Sequence, residues 1–343
     1  MDKKVVFAVA GSGKTKLIID DLDENKMSII ITYTSSNYEN LKERIIVKFG
    51  HFPNNIKLYT YFTFLYSFCY KPFCHDLMLT KGINYFQIPN QYSKKDKREH
   101  YVDLEGRLFF SRISKYLIEY NVISDVVERI NKYFDNIYID EIQDFASNDF
   151  NFVLGLAATQ ANLLYVGDFY QHTFDTSRDG STRKNLHTDY TKYQKEFQLG
   201  GITVDVSTLL KSWRCNASVT QYISDNLNIP IESNRPDSSI IKYVNDVREI
   251  KQIFDDNSIV KLFYQKHYDY DCFSKNWGDC KGEDKYFDVC VVLNDSTLTK
   301  YTSGKLHEMP SSSKNKFYVA VSRTKNNLYF ISEKQLKITL NKH

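Results

Sequence analysis

The 343-residue sequence has no strong excess of charge of either sign: 45 Lys and Arg face 42 Asp and Glu, a formal net of +3. Basicity this mild does not demand a polyanionic partner, although it permits a local basic groove. The sequence also lacks any run of about 18 uninterrupted apolar residues, which excludes a long apolar membrane span. Its first residues lead into a glycine-rich loop where a signal peptide would have an apolar core, so the expectation is a cytoplasmic protein with no membrane partner. Cys69, Cys74, Cys215, Cys272, Cys280 and Cys290 form no C-x-x-C pair. The nearest two, Cys69 and Cys74 beside His75, have no second half at metal-ligand spacing, so reduced and mostly packed thiols are expected. There is no internal repeat, and nothing of low complexity beyond Ser311-Ser312-Ser313. What is present, 42% apolar and 25% charged residues, is ordinary for a globular protein long enough to hold two cores.

The apolar run Val5-Val6-Phe7 leads into Ala8-Val9-Ala10-Gly11-Ser12-Gly13-Lys14-Thr15 and then Lys16-Leu17-Ile18-Ile19. Strand, glycine loop and helix in that order form a phosphate-binding unit. Backbone N–H groups from Ala10, Gly11, Ser12 and Gly13 close around phosphate oxygens, Lys14 reaches the β and γ phosphates, and Thr15 holds Mg²⁺. Ala8 stands where the general pattern has its first glycine.

Strand and helix signals then alternate. Ser28 to Tyr33, Ile56 to Tyr59, Ile137 to Ile139 and Leu163 to Val166 read as buried parallel strands, Asn37 to Lys48 as a helix, and Tyr61 to Tyr70 as an aromatic helix. The alternation lapses from about Pro72 to Gly106, where Lys94-Lys95-Asp96-Lys97-Arg98 is strongly polar, and helical patterns resume at Leu108 and Val122. A second polar lapse, Ser177 to Gly201, precedes a second strand series: Ile202 to Val206, Ile240 to Val244, Ile259 to Phe263, Phe287 to Leu293 and Asn327 to Ile331. The expected fold is α/β, with a doubly wound parallel sheet in each of two domains. The first spans 1–200, with a small helical insertion at about 72–125, and the second spans 201–343.

Ile137-Tyr138-Ile139-Asp140-Glu141-Ile142-Gln143-Asp144 sets adjacent acids at the carboxyl end of a buried strand, where open α/β sheets bind ligands. Asp140 suits an outer contact to Mg²⁺, and Glu141 suits orienting and deprotonating an attacking water. Asp-Glu-x-Gln-Asp after such a strand resembles motif II of the UvrD-like branch of superfamily 1 helicases, and other motifs follow in order. Thr32 to Asn37 resembles motif Ia, Thr60 to Phe64 motif Ib, and Val166-Gly167-Asp168-Phe169-Tyr170-Gln171 motif III. Leu210 to Arg214 resembles motif IV, Gly278 to Gly282 motif V, and Tyr318 to Lys325 motif VI.

The resemblance implies two RecA-like domains with an ATP site in the cleft between them, ATP and Mg²⁺ as cofactors, and single-stranded DNA as partner. It implies that Gln171 senses the γ phosphate, that Arg214 and Arg323 neutralise its developing charge, and that Trp213 stacks on the base. Gly282 and an acid beside it, Glu283 or Asp284, would meet the sugar, with Asp284 taken as the contact. Tyr33, Thr60 and Phe64 fall in segments that line a single-strand groove in this family. With Lys14 and Glu141, these residues describe an ATPase coupled to translocation or unwinding.

The pattern is also trimmed. The adenine-reading glutamine segment has no counterpart upstream of Ala8, and Arg214 to Lys281 is too short for the accessory subdomain of larger relatives. After motif III the chain reads Phe174-Asp175-Thr176-Ser177, without the family's tryptophan. Small relatives of this kind resemble components of prokaryotic antiviral systems. The alternative expectation is therefore a nucleotide-gated sensor that licenses a partner nuclease or other defence subunit without unwinding. No second substrate pocket or lid signature points to a nucleotide kinase.

Overall fold

The computed structural model describes residues 2–340; Met1 and 341–343, the outer ends of the two expected domain ranges, lie outside the described residues. The protein is α/β: its two larger sheets, of six and five strands, fall one in each of two compact units, and two two-stranded sheets accompany them among the described residues.

Unit 1 gathers the chain through Phe7, Lys14–Gly167 and Phe174–Asp205. Its strands are β1 (Lys3–Phe7), β2 (Ser28–Thr32), β3 (Ile56–Thr60), β4 (Asn136–Ile139), β5 (Asn162–Gly167) and β6 (Thr203–Asp205). They pair in the order β3-β2-β4-β5-β1-β6, every pair parallel. All five residues of β2 and all four of β4 are buried. Helices cover both faces of a parallel sheet, so these strands read as continuous apolar runs and not as alternation. The helix Ser35–Phe49 shows why the local sequence stops and starts where it does. The Thr34 hydroxyl accepts from the Asn37 N–H, Leu41 and Ile45 face inward, and Gly50 at φ 77° returns its N–H to the Ile46 carbonyl.

Three local expectations need correction. Ile202–Val206 was expected to open the second strand series, but β6 is the last strand of the first sheet, held beside β1 by a Lys4–Asp205 ion pair of 2.6 Å. The pattern at Leu108 is not helical at first: Leu108–Phe109 pairs with Ile83–Asn84, a 3-10 turn spans Phe110–Arg112, and the α-helix begins at Ile113. The aromatic helix is regular only over Tyr61–Thr63; Phe64–Tyr70 is a π-helix, and the Lys71 N–H reaches back five residues to the Tyr66 carbonyl. Phe64 stacks on Phe68 at 5.3 Å and Tyr66 on Tyr70 at 5.9 Å along this wider turn.

Unit 2 gathers Ala8–Gly13, Asp168–Thr173 and the chain from Val206 on. Its main sheet contains β7 (Ile241–Tyr243), β8 (Ile259–Phe263), β9 (Ser274–Asn276), β10 (Asp288–Leu293) and β11 (Leu328–Ser332), parallel in the order β7-β11-β10-β8-β9. Alternate residues of β10 feed opposite faces. Val289, Val291 and Leu293 pack with Val219 and Ile223 from the helix Ala217–Leu227 and with Phe317 and Val321 from the helix Ser311–Val321. Cys290 and Val292 pack with Ile250, Ile253 and Leu336. Five of the six cysteines are buried and all are free, as expected of packed thiols. Among the described residues no helix is long and apolar enough to cross a membrane.

Candidate nucleotide site

β1 ends at Phe7, and the loop that follows needs its glycines. Gly11 has φ 71° and Gly13 φ 98°, a region that side-chain-bearing residues rarely enter. A Cβ on Gly11 would lie 2.6 Å from the Arg214 Cβ and 2.9 Å from the Ser212 Oγ, so the position is closed to larger residues by space as well as by torsion. The Ser12 hydroxyl donates to the Val9 carbonyl at 2.8 Å and tightens the turn. A helix then begins at Lys14, with Lys14 and Thr15 half-buried in its first turn. First-turn N–H groups have no intrahelical acceptor and carry the positive end of the helix dipole, which suits a negatively charged group near Lys14 and Thr15.

The acids stand at the end of β4. Parallel pairing brings the carboxyl ends of β1, β4 and β5 to one edge of the sheet, so Asp140 and Glu141 share that edge with the start of the Lys14 helix. Asp140 and Glu141 are both buried, and Glu141 has a left-handed backbone at φ 57°, ψ 46°. The turn is held from within: the Glu141 N–H donates to Asp140 Oδ1 at 2.9 Å, and Gln143 Nε2 donates to Glu141 Oε2 at 2.6 Å. A Cβ on Gly167, at the end of β5, would meet Gln143 Oε1 at 2.4 Å, so that glycine lets the acidic turn sit against the neighbouring strand. Non-glycine residues in left-handed backbone cost energy and persist where surrounding contacts over-determine them, often at functional sites. This donor set suits a magnesium ion carried with a triphosphate: Thr15 offers a hydroxyl and Asp140 a carboxylate from the same sheet edge.

The loop's remaining contacts are with unit 2, the unit to which Ala8–Gly13 belongs. The Ala10 N–H donates to the Tyr318 hydroxyl at 2.9 Å, and that hydroxyl donates to Asp168 Oδ2 at 3.1 Å. Asp168 also accepts from the Tyr170 N–H and opens the short turn that carries the buried Gln171. Asn315 Nδ2, one turn before Tyr318, donates to the His172 carbonyl at 3.0 Å. One tyrosine hydroxyl therefore ties the phosphate loop, the segment bearing Gln171 and the helix Ser311–Val321 together. Burial pushes the Tyr318 phenol well above its ordinary range, and the Asp168 charge adds to this, so the hydroxyl keeps its proton.

Arg214 and Arg323 are brought together. Arg214 donates to the Ser322 carbonyl at 3.2 Å and pairs with Asp284, while Arg323 is buried and donates to the Val319 and Glu283 carbonyls at 3.2 and 3.1 Å. Burial lowers the Arg323 guanidinium pKa, and the Arg214 charge beside it acts in the same direction. Burial works to raise the Asp284 carboxyl, but Arg214 and Arg323 outweigh it and hold the group below its ordinary value. Asp284, expected on a ribose, pairs here with the Arg214 guanidinium. Gly282, at φ 84°, allows the turn that brings Glu283 and Asp284 to the arginines. Trp213 is 67% exposed, and its backbone N–H donates to the Gly11 carbonyl at 2.9 Å, which sets this residue beside the loop.

The nucleic-acid candidates, all in unit 1, separate. Tyr33 is half-buried, in ring contact with Phe62 at 6.0 Å and Phe174 at 5.3 Å. Burial, reinforced by Asp149 and Asp144, pushes its phenol up to about 12. Thr60 donates to the Thr63 hydroxyl at 2.8 Å on the surface. Phe64 is corrected: it is fully buried against Tyr59, Phe68 and Phe152 and has no ring face to offer a base. Phe62, two residues earlier and half-buried, faces Tyr33 instead. Tyr318, Ser212, Gly167 and Phe62 were not singled out from the sequence. Each lies inside a quoted motif, but none carries a chemical signature until its partner is known.

No family model matches the chain, and no curated protein matches its sequence. Solved structures do resemble it. The arterivirus nonstructural protein 10 helicase, in a complex with DNA, aligns with a TM-score of 0.52 and 14% identity over 98% of this chain and 63% of that one. The PRRSV helicase aligns with a TM-score of 0.48 and 12% identity over 96% of this chain and 52% of that one. This chain spans less than two thirds of either neighbour. The first likeness shows a shared α/β fold with parallel sheets.

Proposed function

We propose that the protein hydrolyses ATP, with Mg²⁺, to drive movement along single-stranded DNA, as a compact translocase or helicase of the UvrD-like type. The observation that carries this reading is the meeting of the phosphate loop, Arg214 and the Tyr318–Asp168 link in one compact unit. A triphosphate-gripping loop, a cationic pair and the strand-end segment holding Gln171 share hydrogen bonds there. In this reading Lys14 and the loop amides bind the β and γ phosphates, while Thr15 would hold Mg²⁺ and Asp140 would contact it from the outer sphere; the ion would supply neutralisation of phosphate charge. Glu141 accepts a proton from the attacking water, and its left-handed backbone, fixed by Gln143, aims the carboxylate. Arg214 and Arg323 neutralise the oxygens of the transferring phosphoryl group, which is where such transition states gather charge. Gln171 reports the state of the γ phosphate to Asp168 and Tyr318.

Glu141→Gln tests the chemistry. It should leave nucleotide binding within a few-fold of the parent and lower turnover about 100-fold or more, the usual scale for loss of a general base. Unchanged turnover would remove Glu141 from the reaction.

A second reading, nucleotide-gated licensing of a partner nuclease without unwinding, is favoured by the short span between Arg214 and Lys281. That stretch is taken up by the helices Ala217–Leu227 and Val247–Asp255 and by β7, β8 and β9, with no accessory subdomain. A strand-displacement assay separates the two: ATP turnover without displacement supports licensing.

A further inference from the structure

The insertion at residues 81–112 presents side chains that its own fold does not use. Phe86 and Tyr92 are 96% and 94% exposed, and Ile88 and Tyr85 are also exposed. The strap carrying them is nonetheless firmly built. Asn84 Oδ1 accepts from the N–H groups of Phe86 and Gln87, and Asn90 Oδ1 accepts from the Tyr92 N–H. Behind the strap, the buried Arg112 donates to the Asn90 and His100 carbonyls at 3.1 and 2.7 Å and pairs with Asp179, which Lys115 also meets at 2.7 Å. Large rings held out in water by a satisfied buried ionic network are a standing surface, because apolar area left exposed carries a free-energy cost that a partner removes.

Basic residues outnumber acids around them: residues 81–112 hold Lys81, Lys94, Lys95, Lys97, Arg98, Arg107 and Arg112 against Asp96, Glu99, Asp103 and Glu105. Lys95 pairs with Glu119 and Lys97 approaches Asp96, whereas Lys81 and Lys94 have no ion-pair partner among the described residues. The insertion is also continuous with the candidate groove. Tyr85 and Phe110 stack at 6.2 Å, each lies 5.6 Å from Phe62, Phe62 meets Tyr33, and Tyr33 meets Phe174. Five rings thus run in contact from Phe174, Tyr33 and Phe62 to Tyr85 and Phe110.

We infer that this insertion is a second binding surface for single-stranded nucleic acid, with Tyr85, Phe86 and Tyr92 stacking on bases and Lys81 and Lys94 meeting phosphates, so that it lengthens the strand the protein holds. Exposed aromatics flanked by lysines without an ion-pair partner among the described residues fit that occupant: every base has a π face and every linkage carries a negative charge. A lysine-bearing apolar surface is a worse fit for a neutral protein partner. The inference rests on the proposed nucleic-acid function.

The experiment measures binding of fluorescent oligothymidylates of about 8 and about 30 nucleotides, lengths that bracket the site sizes of stacking-type binders. It compares the parent with Phe86→Ala/Tyr92→Ala and with Lys81→Ala/Lys94→Ala, each checked for an unchanged thermal melt. The expected result is about tenfold weaker binding of the long oligomer by either variant, little change on the short one, and a shallower salt dependence for the lysine variant. Unchanged binding of both lengths overturns the inference and leaves the surface to a protein. Equal weakening on both lengths also overturns it, since the insertion would then be part of the primary groove and not an extension. If the parent binds neither oligomer, the proposed function fails first, and this inference with it.

Discussion

Asp284 gives the sharpest test of how the arginine pair works. Its carboxylate occupies the Arg214 guanidinium that the proposal assigns to a γ phosphate. Removing a competing anion should therefore favour the incoming one: Asp284→Asn is expected to tighten nucleotide binding several-fold in an equilibrium titration. A ribose contact predicts weakening, so the sign of the change decides. Tyr318→Phe deletes a hydroxyl that serves the Ala10 N–H and Asp168 while keeping the ring, and should cost about 1–3 kcal/mol in thermal stability because the buried Ala10 N–H loses an acceptor and Asp168 one of its donors. If Gln171 signals through this link, the same variant should also lower strand-stimulated turnover more than basal turnover. The sequence singles out Lys14, Glu141, Arg214 and Arg323 because each sits in a short motif of recognisable residue types, and the structure places Arg214 beside Arg323. The sequence was silent on Tyr318, whose partners lie 308 and 150 residues away. It misled at Phe64, because in a stretch with rings at Tyr61, Phe62, Phe64, Tyr66, Phe68 and Tyr70 no periodicity distinguishes the buried face, and a π-helix shifts the register further.

Among the elements, the insertion is held by buried ionic contacts as well as by the buried Tyr101, Val102, Leu108 and Phe109. Asp103 accepts from Arg107 and from Asn84 Nδ2, at 2.8 and 2.6 Å, and bridges the two ends of the Ile83–Asn84 and Leu108–Phe109 pairing. Burial works to raise its carboxyl, but the hydrogen bonds from the Arg107 N–H, Asn84 and the Arg107 side chain prevail and hold it at about 2. A carboxyl whose folded pKa lies below its unfolded value stabilises the fold above the unfolded pKa and loses that contribution as pH falls toward the folded one. Amides of residues 84–109 should therefore gain exchange rate as pH drops from about 4 to about 2, beyond the intrinsic trend, and Asp103→Asn should remove the excess. Equal pH dependence in parent and variant would show that Asp103 does not hold the insertion. The strands of both sheets were legible because buried parallel strands are dense apolar runs, as at Ile29-Ile30-Ile31 and Val289 to Leu293. β6 was not, since three residues carry no signal for which sheet they join, and only the pairing with Lys4 to Val6 decides it.

At the scale of the whole chain, the two-sheet α/β architecture followed from the alternation of strand and helix patterns, and its likeness to a helicase fold survives at 14% identity because that alternation, not residue identity, specifies the sheets. The composition of the units was not legible. Ala8–Gly13 and Asp168–Thr173 cluster with the carboxyl-terminal unit through long-range contacts that no local pattern records. The account's central claim is that triphosphate hydrolysis at Lys14 and Glu141 answers to a bound single strand. The most direct measurement is steady-state ATP turnover with and without a single-stranded DNA oligomer, in the parent and in Lys14→Ala. The account predicts turnover that rises at least several-fold on adding the strand and is absent in Lys14→Ala under both conditions; turnover indifferent to the strand, or surviving in Lys14→Ala, would contradict it.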